Sequence, residues 1–186
     1  VIVADNQSTD ESVSFLRENF PQVKVLQLDQ NYGFAKGYNL ALQQIRAKYY
    51  ILLNSDVEVT SNWIDPLIDL MERDETVAAV QPKVLSWQQK DEFEYAGAAG
   101  GFMAVRADCF HQAGGFDADF WAHMEEIDLC WHLKNRGYKI QFTPFSKIYH
   151  LGGGSLSYDN PKKLFLNFRN SLWLLYKNLP RHKFYK

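Results

Sequence analysis

Asn54-Ser55-Asp56 closes an apolar run, Tyr49-Tyr50-Ile51-Leu52-Leu53, and stands just before Val57. A buried strand that stops there delivers one carboxylate, with an amide two residues earlier, to the crevice beyond the strand ends, where open α/β sheets bind their ligands. A divalent ion on a diphosphate prefers hard oxygen donors, and Asp56 offers one while phosphate oxygens and water fill other positions. Asp56 is therefore the first metal-ligand candidate, and it also reads as a turn or helix-capping aspartate. Asn54 is a neutral neighbour or weak ligand. His150 follows Ile148-Tyr149 and precedes Leu151-Gly152-Gly153-Gly154. It could complete the metal site with Asp56 or serve as a hydrogen-bonded structural histidine; the glycines could bring backbone amides to phosphate.

Glu125, Glu126 and Asp128 crowd three carboxylates into the first turn of a predicted helix. A helix dipole favours negative charge there, so the acids read first as a well-capped helix start. The preceding Gly114-Gly115-Phe116-Asp117-Ala118-Asp119-Phe120-Trp121-Ala122-His123-Met124 packs aromatics and glycines around them more densely than a solvent-facing cap requires. Desolvation and like-charge repulsion in such a setting raise a carboxylate pKa, as a general base needs. The two motifs together point to a metal-assisted transferase acting on a nucleotide-linked substrate.

The elements that must position these groups alternate at first. Val1 to Ala4 reads as a strand that ends in the capping cluster Asp5-Asn6-Gln7-Ser8-Thr9-Asp10, followed by a helix around Ser12 to Glu18 and a strand over Val23 to Leu28. Asn31-Tyr32-Gly33-Phe34-Ala35-Lys36-Gly37-Tyr38-Asn39 opens a helix to about Ala47, and the strand Tyr49 to Leu53 follows. This β-α-β-α-β rhythm predicts a mostly parallel, Rossmann-like central sheet flanked by helices. Trp63 to Arg73 has helical spacing, and Pro82 marks Val77 to Leu85 as an edge or bulged strand. The alternation then breaks. A strand over Phe102 to Arg106, a short helix up to Gly114-Gly115, a helix from about Glu125 to Asn135, and strands near Tyr138 to Phe142 and Lys147 to Tyr149 complete the core.

Residues 161–186 form a predicted amphipathic helix and basic tail. Leu164, Phe165, Phe168, Leu172, Leu175 and Tyr176 share one helical face, with Lys162, Lys163, Arg169, Lys177, Arg181 and Lys183 around it. Such a helix either docks its apolar face on the core or lies on an anionic membrane surface as a peripheral contact.

The chain of 186 residues, 46% hydrophobic, has the size of one domain. A net charge of -2 and a pI near 6.2 give no polyanion-binding character, so no nucleic-acid partner is expected. Cys109 and Cys130 read as buried free thiols, in keeping with a cytoplasmic setting. No apolar run approaches the ~20 residues of a membrane-spanning helix, and Val1 reads as a start in mid-fold.

In order, the blocks Val3 to Asp10, Asn31 to Asn39, Leu53 to Val57, Gly114 to Asp117, Glu125 to Cys130 and Tyr149-His150 resemble the family 2 glycosyltransferases. The likeness is strongest to the rhamnosyltransferase-like branch that builds bacterial surface polysaccharide. The resemblance implies a GT-A fold, inversion at the anomeric carbon, Mg²⁺ or Mn²⁺, a dTDP- or UDP-sugar donor and a glycan or lipid-linked acceptor, with the protein in the cytoplasm or at the inner face of the cytoplasmic membrane. Carried over by block, Asp5 and Asn6 would contact the nucleotide, while Asn31, Gly33, Lys36 and Asn39 would lie near the ribose and diphosphate. Asp56 and His150 would bind metal and Glu126 would be the catalytic base, with Asn54, Glu125 and Asp128 orienting donor or acceptor. Three positions depart from the family pattern: Asn54 where an acid is usual, Glu126 where Asp is commoner, and His132 where Arg is usual. The family also begins with one more strand and helix and has a longer segment around Gly97 to Gly101. A GT-A domain over 1–160 thus reads as incomplete at its N-terminus and short of a loop near 97–101. Two other functions fit some of these features: a non-catalytic sugar-nucleotide-binding protein of the same fold, and a receiver-like signalling domain with Asp5 and Asp56 in an acidic pocket.

Overall fold

A computed structural model describes residues 1–88, 93–95, 101–151, 160–180 and 182. The first elements follow the predicted rhythm: β1 (Ile2–Asp5), α1 (Ser12–Asn19), β2 (Lys24–Gln27), α2 (Gly33–Leu42) and β3 (Tyr49–Leu53). They are followed by β4 (Val57–Val59), α3 (Asp65–Arg73), β5 (Val77–Ser86), β6 (Phe93–Tyr95), β7 (Phe102–Arg106) and α4 (Ala107–Gln112). After a 3-10 turn at Ala118–Phe120 come α5 (Glu125–Asn135), β8 (Lys139–His150) and α6 (Pro161–Asn178).

The expected α/β architecture, a central sheet flanked by helices, stands, and its strand directions are mixed. β1 and β2 form a parallel pair, while the larger sheet runs β3-β7-β5-β8-β4 with β6 on β5. Within it β5 and β8 are parallel, and β3/β7, β5/β7, β5/β6 and β4/β8 are antiparallel. β1 and β2 are parallel because α1 carries the chain back between them, as a parallel pair requires a crossover.

The edge-strand alternative for Val77 to Leu85 does not hold, because β5 is central and nearly all of it is buried. Pro82 is accommodated by a register shift: Pro82 pairs with Thr143 but Lys83 with Lys147, leaving Pro144, Phe145 and Ser146 looped out of β8. Two prolines that lack amide donors thus interrupt the ladder at one place. The two strands expected near Tyr138 and Lys147 are accordingly one bulged strand.

The core lies between the sheet and α2, α4 and α5, around Leu52, Val105, Phe110, Phe116, Leu129 and Leu133. Cys109 and Cys130 are buried free thiols within it. No helix among the described residues is long and apolar enough to cross a membrane.

The predicted docking of α6 through its apolar face is overturned. Leu164, Phe165, Phe168, Leu172, Leu175 and Tyr176 are exposed, and the helix buries Leu166, Asn170 and Leu174 instead. Specific polar bonds from Asn170 and its neighbours, described below, outweigh the apolar stripe in fixing which side faces inward.

Candidate active site

β4 brings the two candidate metal ligands together. Val57 pairs with His150 in the antiparallel β4/β8 ladder, and the Leu151 amide donates to the Asp56 carbonyl oxygen. Asp56 Oδ2 consequently lies 3.4 Å from His150 Nε2, both side chains being largely buried. Asp56 Oδ1 is buried with no hydrogen-bond partner, which suits a hard cation better than it suits a capping aspartate. Among the described residues no cluster of three or more His, Cys, Asp or Glu could hold a metal. A bound ion would take its remaining ligands from substrate and water. Asn54 stands at the end of β3, its amide donating to the Gly101 carbonyl. The Gly152-Gly153-Gly154 run and residues 97–100 lie outside the described residues.

Asn6, Asn31 and Gly33 form one hydrogen-bonded network where β1 meets α2. Asn6 Nδ2 donates to Asn31 Oδ1 and to the Gly33 carbonyl, and Asn6 Oδ1 accepts from the Tyr32 amide. Asn31 Oδ1 also accepts from the Gly33 amide. Asp5, buried at the end of β1, accepts from the Ser8 amide. Lys36 lies over the Tyr32 ring, 4.4 Å from its centroid. Asn39 does not join this group: both atoms of its amide bind the Phe116 backbone, at 2.6 and 2.9 Å, and hold the Gly114-Gly115 turn.

Gly33 adopts φ +72°, and a Cβ there would meet the Trp121 indole at 2.6 Å. The Trp121 carbonyl accepts from the Phe34 and Ala35 amides. Two first-turn amides of α2 therefore face protein rather than an open phosphate pocket. Trp121, His123 and Met124 all have positive φ, a strained run that delivers the chain into α5.

Glu125 and Glu126 open α5 without the side-chain cap expected of a well-capped start. Glu125 is 4% exposed, and each acid keeps one buried carboxyl oxygen unpartnered. Burial, then the Glu126 charge, pushes the Glu125 pKa well above the usual carboxylate range; burial does the same to Glu126. Asp128 is otherwise engaged. Its Oδ1 accepts from Asn178 on α6 at 2.6 Å, and its Oδ2 faces His132 Nε2 at 3.9 Å.

Tyr38, to which no motif assigns a role, is within electrostatic reach of both Asp56 and Glu125. Its hydroxyl donates to the Leu53 carbonyl at 3.3 Å. Burial raises its pKa, and the Asp56 and Glu125 charges both add to the rise. The motif block Asn31 to Asn39 contains this residue, but no spacing rule marks a tyrosine as sensing two distant carboxylates.

Helix α6 holds the segment before the acids. Asn170, fully buried, points its Nδ2 at the carbonyls of Phe120, Ala122 and His123 at 2.9, 2.7 and 2.7 Å. Arg169 Nη2 donates to the carbonyls of Asp119 and Phe120, and Lys177 pairs with Asp117. His123 Nε2 is buried without a partner, and burial followed by the Lys163 charge lowers its pKa.

The sequence model of the family described as Glycosyl transferase family 2 matches residues 1–155. An N-acetylglucosaminyl-diphospho-decaprenol L-rhamnosyltransferase of Mycobacterium tuberculosis is 22% identical over 93% of this chain and 76% of its own length. In three dimensions the chain is similar to GalNAc-T7 solved with UDP, GalNAc and Mn²⁺ (TM-score 0.71, 17% identity, 94% of this chain and 41% of that one). It is also similar to a mannosyltransferase from Pyrobaculum calidifontis in complex with GDP-Man and Mn²⁺ (TM-score 0.67, 17% identity, 84% and 49%). The chain thus spans about three quarters of the first relative and under half of each solved structure, and their fold is the GT-A fold expected for it. The match over residues 1–155 makes this chain a member of glycosyl transferase family 2.

Proposed function

We propose that the chain carries the inverting transfer of a sugar from a nucleotide-diphospho-sugar, dTDP- or UDP-linked, to a hydroxyl of a glycan or lipid-linked acceptor in bacterial surface polysaccharide synthesis. The observation that carries this reading is the unpartnered buried oxygen of Asp56 beside His150. Asp56 and His150 would hold Mg²⁺ or Mn²⁺, which when bound neutralises charge gathering on a departing diphosphate.

Glu126 is the base. It takes the proton of the acceptor hydroxyl as that oxygen bonds the anomeric carbon, and the bond from that carbon to the diphosphate breaks with its electron pair leaving on the diphosphate oxygen. A raised pKa suits this role, because a base titrating near neutral pH accepts the proton readily without being protonated beforehand; such help is worth about 10²–10⁴-fold. Burial holds that pKa up. Asn6, Asn31 and Lys36 at the start of α2 are assigned to the nucleotide side. Family membership removes the receiver-like alternative.

Turnover of UDP- or dTDP-sugars, read as nucleoside diphosphate release in the presence of Mn²⁺ and acceptor extract, tests the assignment. The wild type is expected to turn over donor, and Glu126→Gln to lose at least roughly 100-fold while still binding nucleotide. Donor binding without turnover in the wild type would instead identify a non-catalytic sugar-nucleotide-binding protein.

A further inference from the structure

The outward face of α6 has no role in the transfer chemistry. Leu164, Phe165, Phe168, Leu172, Leu175 and Tyr176 are between 41% and 67% exposed. At 3.6 residues per turn they fall within about 120° of arc. This arc is opposite the buried Leu166, Asn170 and Leu174, so the stripe is unused by the fold. A contiguous apolar patch of this kind on a folded domain marks an interaction surface.

Its charge selects the partner. Residues 161–186 carry seven Lys and Arg and no Asp or Glu, against 13 Lys and Arg and 22 Asp and Glu in residues 1–160. Lys162 and Arg169 border the stripe on one side. They remain exposed, although Lys162 reaches the Trp121 ring and Arg169 the Asp119 and Phe120 carbonyls. A second copy of this chain would bring an equally basic face against the first, which like-charge repulsion disfavours. A neutral apolar groove would leave the basic excess without a counterpart. An interface with apolar depth and anionic headgroups satisfies both features, since aromatic and leucine side chains enter the acyl boundary while cations stay at headgroup level.

We propose that α6 seats its outer face on an anionic phospholipid surface. This places the membrane on the far side of the same helix that grips residues 117–123, just before Glu125 and Glu126. The proposal does not depend on catalysis, metal or donor.

Co-sedimentation of the full-length protein with extruded vesicles tests it without either ligand. Vesicles of phosphatidylcholine with about 30% phosphatidylglycerol are expected to bind the protein at least roughly tenfold more tightly than phosphatidylcholine alone. Raising NaCl from 0.1 to 1 M should weaken that binding, as the screening length falls from about 10 to about 3 Å. The double variant Phe168→Ser, Leu172→Ser changes only exposed side chains and should lose at least roughly tenfold. Phe15→Ser, on α1 and also exposed, should bind like the wild type. Failure of the wild type to bind phosphatidylglycerol vesicles overturns the proposal. So does undiminished binding by the double variant, or an equal loss in Phe15→Ser. Conversion of an oligomer to a monomer by the double variant, with no vesicle binding by the wild type, reassigns the stripe to a subunit interface. A large fall in the double variant's melting temperature shows instead that another part of the full-length chain covers the stripe, and also overturns it.

Discussion

The side-chain amide nitrogen of Asn170 lies 2.7 Å from the carbonyl oxygen of His123, two residues before the first acid of α5. Because the same nitrogen also faces the carbonyls of Phe120 and Ala122, one buried side chain gathers three carbonyls of the strained segment Phe120 to His123. Replacing it leaves buried carbonyls without a donor, at about 1–3 kcal/mol. Asn170→Ala is therefore expected to lower the urea midpoint correspondingly. Asn170→Asp should be worse, since it aims a negative charge at carbonyl oxygens. Equal stability of Asn170→Ala and wild type in urea would show that α6 does not hold this segment.

Gly33 supports the same segment from the opposite side. A methyl group there would be 2.6 Å from the Trp121 indole in a backbone with φ +72°, combining overlap with a conformation that L-residues rarely adopt. Gly33→Ala should cost about 1–3 kcal/mol, read as a lower melting temperature. An unchanged melting temperature would mean that Trp121 moves aside freely.

The elements were largely legible in the sequence because their cues were local. The apolar run Tyr49 to Leu53, the capping cluster after β1 and the acids opening α5 each declare themselves within a few residues. What was not legible depended on contacts distant in sequence. Three-residue β4 has no periodicity to read, yet its pairing with β8 is what sets Asp56 against His150. The orientation of α6 is hidden from the sequence for a related reason. Hydrophobic periodicity locates an apolar face, but here the buried face is chosen by Asn170, Asn178 and Arg169 reaching specific partners 49 or 50 residues away. Asn39 likewise looked like a ligand within its motif and is taken up by Phe116, 77 residues on.

The paired acids give a pH dependence of definite sign. Burial, with the Glu126 charge second for Glu125, holds both carboxyls above their unfolded range of about 4.3. Between the unfolded and folded values the native state binds more protons, so this contribution to stability is complete below about pH 4.3 and is lost as pH rises through the folded values. A pKa raised by one pH unit is worth about 1.4 kcal/mol. Glu125→Gln, which needs no proton, should be more stable than the wild type at pH 8 by at least roughly that amount, with a smaller gain at pH 5. Urea unfolding at the two pH values measures the difference. A gain of equal size at both would show that the acid is not held protonated by the fold.

The metal assignment is tested most directly by calorimetric titration of UDP and dTDP into the full-length protein, with and without Mn²⁺. Asp56 and His150, 3.4 Å apart with one carboxyl oxygen unpartnered, should make nucleotide binding depend on the ion. Asp56→Asn should weaken it by at least roughly tenfold, about 1.4 kcal/mol, without changing the melting temperature of the free protein downward. Nucleotide binding that is equally tight without metal, or that survives Asp56→Asn unchanged, would contradict the assignment.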